Sequence, residues 1–251
     1  MLNGLDLFSG IGGISFALRD FTKTLCYCEN DPYCQKILIN RMGDKQLQCA
    51  PIWDDIRTLS IYDLPKCIDI IYAGFPCQGF SIAGHGKGLE DERSGLFYEI
   101  MRLAKEIQPK FIFFENVPNI TSSHKGSLDI LFSLSKMGYD CRWCSISAAS
   151  VGALQVRERW FLLAHANSEP SRKTDTETES YEVKQNSRIR LARQDRGNSS
   201  RTYWEKNKCP FFGMDYGLPF ELDRSKCLGN SVVPQQVKES FMYLMGLDKY
   251  K

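Results

Sequence analysis

No apolar run in this 251-residue chain reaches the roughly 18 residues needed to cross a bilayer. The N-terminus, MLNGLDLFSG, lacks a basic segment followed by an apolar one, so no secretory leader is read there. Charge of one sign is not in excess: 32 Lys and Arg against 30 Asp and Glu leave a net +2. That balance excludes a protein that coats nucleic acid as a polycation, and any such binding has to come from a local basic surface. No stretch of roughly 20–50 residues recurs, which excludes a solenoid. Histidine is down to three residues, and neither a His cluster nor a second Cys pair stands at zinc-site spacing from the one Cys-x-x-Cys, Cys141 to Cys144. Those two cysteines are read as strand residues, and no metal is expected.

What the chain does have is enough apolar material, 43%, for one large domain and a small one. Its ten cysteines would suggest disulfides in a short secreted chain. In a chain of this length with no leader they predict a reduced, cytoplasmic protein with no membrane contact, expected as a monomer. Cys26 and Cys28 fall on a strand candidate, where the reading sends them to opposite faces.

Short apolar runs alternate with amphipathic segments through the first two-thirds of the chain. Strands are predicted at 2–8, 24–29, 68–73, 111–115, 139–147 and 160–164. Leu96, Ile100, Leu103, Ala104 and Ile107 form one helical face, and Leu128, Leu131, Phe132 and Ser135, with Leu134 nearby, form another. The fold class is α/β: a doubly wound, mostly parallel sheet. From Asn167 to Lys208 apolar periodicity nearly vanishes, so that stretch cannot offset its ordering entropy alone. Val233, Val237, Phe241 and Leu244 then predict a closing core helix. The expected division is a main α/β domain of residues 1–165 plus 224–251 and a second region, 166–223, that is a linker, a small partner-ordered domain, or both.

Four motifs carry chemistry. Asp6 to Gly13, DLFSGIGG, runs from the first strand into a helix with glycines suited to a tight turn, and Glu29 at the end of the next strand suits ribose hydroxyls. GxGG is not GxGxxG, so a smaller adenosine cofactor is favoured over a dinucleotide, with a ligand-free glycine turn as the alternative. GFPCQGFS sets Cys77 just past a buried strand, at the sheet end where α/β proteins bind ligands. Glu115 follows FIFF, where partial desolvation favours its protonated form. QVRER offers Arg157 and Arg159, paired guanidiniums suited to a phosphate or a developing negative charge.

In this order and spacing, DLFSGIGG, GFPCQGFS, ENV, QVRER and GNSVVP resemble the DNA (cytosine-5)-methyltransferase family over roughly residues 1–165 and 213–245. The resemblance implies methyl transfer from S-adenosylmethionine, with no metal, to C5 of a cytosine flipped out of duplex DNA. Cys77 is the implied nucleophile at C6, and Glu115 the group that binds the N3 edge. Gln78, Asn116, Arg157 and Arg159 are implied to hold the flipped nucleotide and its phosphates, with Pro76 beside Cys77 in the catalytic set. The cofactor pocket is implied at Phe8, Ser9, Gly10, Gly12 and Gly13; at Glu29 and Asn30 for the ribose; and at Asp55 and Ile56 for the adenine. Gly74, Pro76, Leu96, Asn230 and Ser231 are implied to complete it.

Residues 84–93 resemble the mobile loop that closes over DNA, so Ser81, Lys87 and Arg93 are expected on the DNA. Between Lys184 and Arg201 six basic residues face one acid, Asp195, and Arg188, Arg190 and Arg193 are the candidate readers. A solvated insertion is the plain alternative. A restriction endonuclease acting separately is an expected companion. The other readings are a transfer-RNA cytosine-5 methyltransferase, whose usual Cys-Phe-Thr signature is absent, and a catalytically silent homologue that binds DNA or S-adenosylmethionine.

Overall fold

The computed structural model describes residues 1–76, 95–121, 126–167 and 231–247. In chain order the elements are β1 (Leu2–Leu7), α1 (Gly13–Leu18), β2 (Thr22–Cys28), α2 (Pro32–Gly43), β3 (Ile52–Trp53) and β4 (Ile70–Ala73). There follow α3 (Gly95–Ile107), β5 (Phe111–Asn116), α4 (Gly126–Lys136), β6 (Tyr139–Ser147), β7 (Glu158–Ala166) and α5 (Pro234–Leu244). The strands form one sheet in the order β3-β2-β1-β4-β5-β7-β6. Pairing is parallel from β3 through β5, and β7 runs antiparallel to both its neighbours. This is the mostly parallel α/β sheet that the alternating pattern predicts.

The central strands read as unbroken apolar runs because helices cover both faces. Leu5, Leu7, Ile71, Ala73, Ile112 and Phe114 turn toward Ile100, Leu103 and Ala104 of α3 and Ile130 and Leu134 of α4. Ile70, Tyr72, Phe113, Phe161 and Leu163 turn the other way, onto Ile14 and Leu18 of α1 and Val237, Phe241 and Leu244 of α5. Phe113 stacks on Phe161 and takes the edge of Phe241 at 5.4 Å between ring centres. The closing helix thus packs on the first one across the chain's full length. Helix α2 starts where Asp31 accepts from the Tyr33 and Cys34 amides, with Pro32 in the first turn.

Two expectations are corrected. The inward face of α4 is Gly126, Ile130 and Leu134, while Leu128 and Phe132 are 58% and 61% exposed. Residues four apart define that buried stripe. Cys26 and Cys28 lie in the same core cluster, as residues i and i+2 of a strand must. By the same rule Cys141 and Cys144 point to opposite faces of β6: Cys144 packs in the α1 and α5 layer and Cys141 against the α3 and α4 layer. They cannot share a ligand or a disulfide.

Candidate active site

Strand order reverses between β1 and β4, the place where an open α/β sheet leaves a crevice at its strand ends. The ends of β1, β2, β4 and β5 therefore bring together Phe8–Gly13, Glu29, Gly74–Pro76 and Glu115. Phe8 stands at φ 55, a left-handed conformation rare for a non-glycine residue, and strain of this kind collects at functional sites. Gly10 follows at φ 54, with nothing within 4 Å of where its Cβ would stand.

The other two glycines serve packing. A Cβ on Gly12, at φ 78, would lie 2.5 Å from Leu47 Cδ1, and one on Gly13 would lie 2.7 Å from Val232 Cγ2. Ser9 ties the ends of β1 and β2 by donating to the Asp6 and Cys28 carbonyls. The Glu29 carboxylate accepts from the Gly10 amide at 2.6 Å and the Asp31 amide at 2.8 Å. Arg41, which no sequence pattern singled out, donates to the Ile11 carbonyl at 2.5 Å and braces the turn from α2.

Beyond Glu29, Asn30 is exposed, and Gln35, Ile39, Ile52, Trp53 and Asp54 line an open pocket. Ile56 is 4% exposed. The Asp55 carboxylate is held by Arg57 at 2.7 Å, which keeps its pKa below the usual range. Leu96, at the start of α3, packs partly on the core.

Glu115 is the decisive group. It ends β5 beside Gly74, whose absent Cβ leaves room: a methyl there would come within 3.2 Å of Glu115 Oε2. Arg159 Nε lies 3.0 Å from Oε1, an ion-pair distance, yet no well-directed hydrogen bond reaches Oε1. Burial pushes the Glu115 carboxyl above its ordinary range, and the charges of Arg159 and Arg157 pull it back. A buried carboxyl at the sheet's open end, ion-paired to Arg159 but with hydrogen-bonding capacity to spare among the described residues, is set to meet a ligand that offers a hydrogen-bonding edge.

Its neighbours are engaged with the protein. Asn116 donates to the Phe75 carbonyl at 3.0 Å and accepts from the Val117 amide at 2.8 Å, so it fastens the end of β5 to the segment that leads through the exposed Pro76 to Cys77. The Arg157 guanidinium donates to the Ser231 carbonyl. Cys77, Gln78, Ser81, Lys87, Arg93, Arg188, Arg190, Arg193 and Asn230 lie outside the described residues.

The profile of the C-5 cytosine-specific DNA methylase family matches residues 2–215 of this chain. The chain belongs to that family. The Type II methyltransferase M.CviJI of Paramecium bursaria Chlorella virus IL3A is 34% identical over 238 residues, 94% of this chain and 58% of that protein. M.HhaI of Haemophilus parahaemolyticus is 35% identical over 169 residues, 66% of this chain and 50% of that enzyme. Among solved structures, the S. pombe Dnmt2 methyltransferase has a TM-score of 0.55 at 25% identity, covering 73% of this chain and 59% of that one. The family member described here thus spans between half and three-fifths of the length of these relatives.

Proposed function

We propose that this C-5 cytosine methylase family member transfers a methyl group from S-adenosylmethionine to C5 of a cytosine in duplex DNA. The observation that carries the reading is Glu115: a buried carboxyl at a strand end, paired with Arg159 and beside Gly74, a residue that precedes Cys77 by three positions in the sequence. The chain's residues fit the cofactor. Gly10 leaves open space beside the turn among the described residues, Phe8 in the same turn is held in a strained conformation, and the Glu29 oxygens, each taken once by an amide, keep lone pairs for ribose hydroxyls. When bound, the cofactor supplies an electrophilic methyl on a sulfonium.

In this reading the Cys77 thiolate adds to C6 of the cytosine. Glu115 hydrogen-bonds N3 as charge develops there, C5 becomes electron-rich, and that carbon takes the methyl. Loss of the C5 proton with departure of the thiolate restores the C5=C6 bond. Burial raises the Glu115 pKa and the charge of Arg159 works against that rise, and Asn116 steadies the approach to Pro76 through Phe75. A base stacked in a duplex cannot enter such a site, so the cytosine is flipped out at a cost of a few kcal/mol. Residues 1–165 and 224–251 are assigned to this chemistry and 166–223 to recognition of the DNA.

Tritium transfer from S-adenosylmethionine to duplex DNA, with transfer RNA in parallel, tests the substrate. Label in RNA alone, or in neither, overturns the reading. Duplex DNA carrying 5-fluorocytosine at the target should trap a denaturant-resistant adduct, because fluorine does not leave as the proton does. Cys77→Ser should abolish that adduct while keeping cofactor affinity, and an undiminished adduct would remove Cys77 from its role.

A further inference from the structure

Gln236 is fully buried on α5, yet it is a polar residue in a stripe of core side chains. Its amide nitrogen donates to two carbonyls at once, Ile146 at 2.5 Å and Arg157 at 2.9 Å. These carbonyls belong to the end of β6 and the residue just before β7, where the two strands part. The Arg157 carbonyl also accepts from the Ala148 amide at 2.8 Å, and the Arg157 side chain reaches across to Ser231, three residues before α5. Arg157 is thereby clasped to the closing helix by both main chain and side chain. Two residues on, Arg159 stands 3.0 Å from Glu115.

We propose that Gln236 is a positioning residue for the reaction, fixing the Arg157–Arg159 segment so that Arg159 stays beside Glu115. A buried amide costs free energy unless it is bonded, and here its Oε1 has no partner among the described residues. An apolar side chain would fill the place without that cost, so Gln236 stands where packing alone would not select it. Two donors aimed at the strand end are what it adds. Among the described residues, the charged groups facing Glu115 are Arg159 and Arg157, both in the clasped segment. Strand β4 brings the Gly74 backbone to the same carboxyl. Whatever loosens the segment therefore acts on Glu115 through both arginines together.

The inference rests on Glu115 acting in methyl transfer, and the test separates the two. The pH profile of kcat is measured on the full chain with duplex DNA, and the inflection that belongs to Glu115 is the one Glu115→Gln removes. Gln236→Met keeps the volume and withdraws the donors. It should lower kcat by up to about 100-fold, the scale of a 1 Å misplacement of a reacting group, with KM for the cofactor nearly unchanged. The Glu115 inflection should move to higher pH, because an arginine that leaves a carboxylate no longer stabilises its charge. Should Gln236→Met fail to fold, Gln236→Glu keeps the shape with one donor in its protonated form, and its inflection should move in the same direction by less. A folded variant with the wild-type inflection, whatever its kcat, reduces Gln236 to a packing residue and overturns the proposal. A wild-type chain with no transfer to cytosine would instead overturn the function.

Discussion

Asp6 offers a test of the physics beneath the site that needs neither DNA nor cofactor. It points from β1 into the layer under α1, where its carboxylate takes the Ser15 hydroxyl, while Thr24, Tyr72 and Ser15 bond among themselves around it. Its other oxygen has no hydrogen-bond partner among the described residues. Burial raises its pKa from 3.8 to about 7, with the Ser15 bond working against the rise and the Glu29 charge adding to it. A group with a raised folded pKa stabilises the fold below its unfolded pKa and loses that contribution as pH climbs through the folded one. Between pH 5 and pH 8 the unfolded carboxyl is already ionised while the native one gives up its proton. From pH 5 to pH 8 the loss, running at up to about 1.4 kcal/mol per unit below the folded pKa of about 7 and flattening above it, comes to about 2.7 kcal/mol in all. Asp6→Asn removes this slope. Its own changes in hydrogen bonding do not vary with pH and cancel when each protein is compared with itself. Urea unfolding at both pH values measures the free energies. Wild type should lose about 2.7 kcal/mol more than Asp6→Asn over that interval. Equal losses would refute a protonated Asp6 in the native protein at pH 5.

How far the sequence shows the fold depends on whether a residue's environment is set locally. Strand Ile70–Ala73 was legible because burial on both faces writes itself as an unbroken apolar run. Ile52–Trp53, with two residues, leaves no period to read. The face of α4 was misread because Leu128 and Phe132 are as apolar as Ile130 and Leu134, and only the sheet's position chooses between the stripes. At the site, Glu115 was legible from the apolar strand that precedes it. The separate jobs of Gly10, Gly12 and Gly13 were not, since Leu47 and Val232 decide them from far along the chain. Arg41, Asn116 and Gln236 bond to carbonyls 30, 41 and 90 residues away. No spacing rule reaches that far.

The remaining predictions test the site outward from its centre. Glu115→Gln should slow methyl transfer by about 10²- to 10⁴-fold, the span of one acid–base group, with the S-adenosylmethionine Kd nearly unchanged by equilibrium dialysis; a large loss of cofactor affinity would show that the carboxyl serves the other pocket. Gly12→Ala forces a side chain onto φ 78 and within 2.5 Å of Leu47, so it should destabilise by about 1–3 kcal/mol and lower Tm by about 2–4 °C per kcal/mol, and an unchanged Tm would refute the packing role given to that glycine. The last concerns Arg188, Arg190 and Arg193, which lie outside the described residues and rest on charge alone: six basic residues against one acid between Lys184 and Arg201, in a chain whose net charge is only +2. If all three meet phosphates, each releases counterions on binding, and their joint change to Ala should flatten the slope of log affinity against log salt by about 2.7. Duplex binding measured across a salt series gives that slope, and cofactor affinity should not move. A charge run that is merely solvated leaves slope, affinity and methylated positions intact, and recognition would then have to be sought between Phe211 and Asp223, where apolar residues return to the sequence.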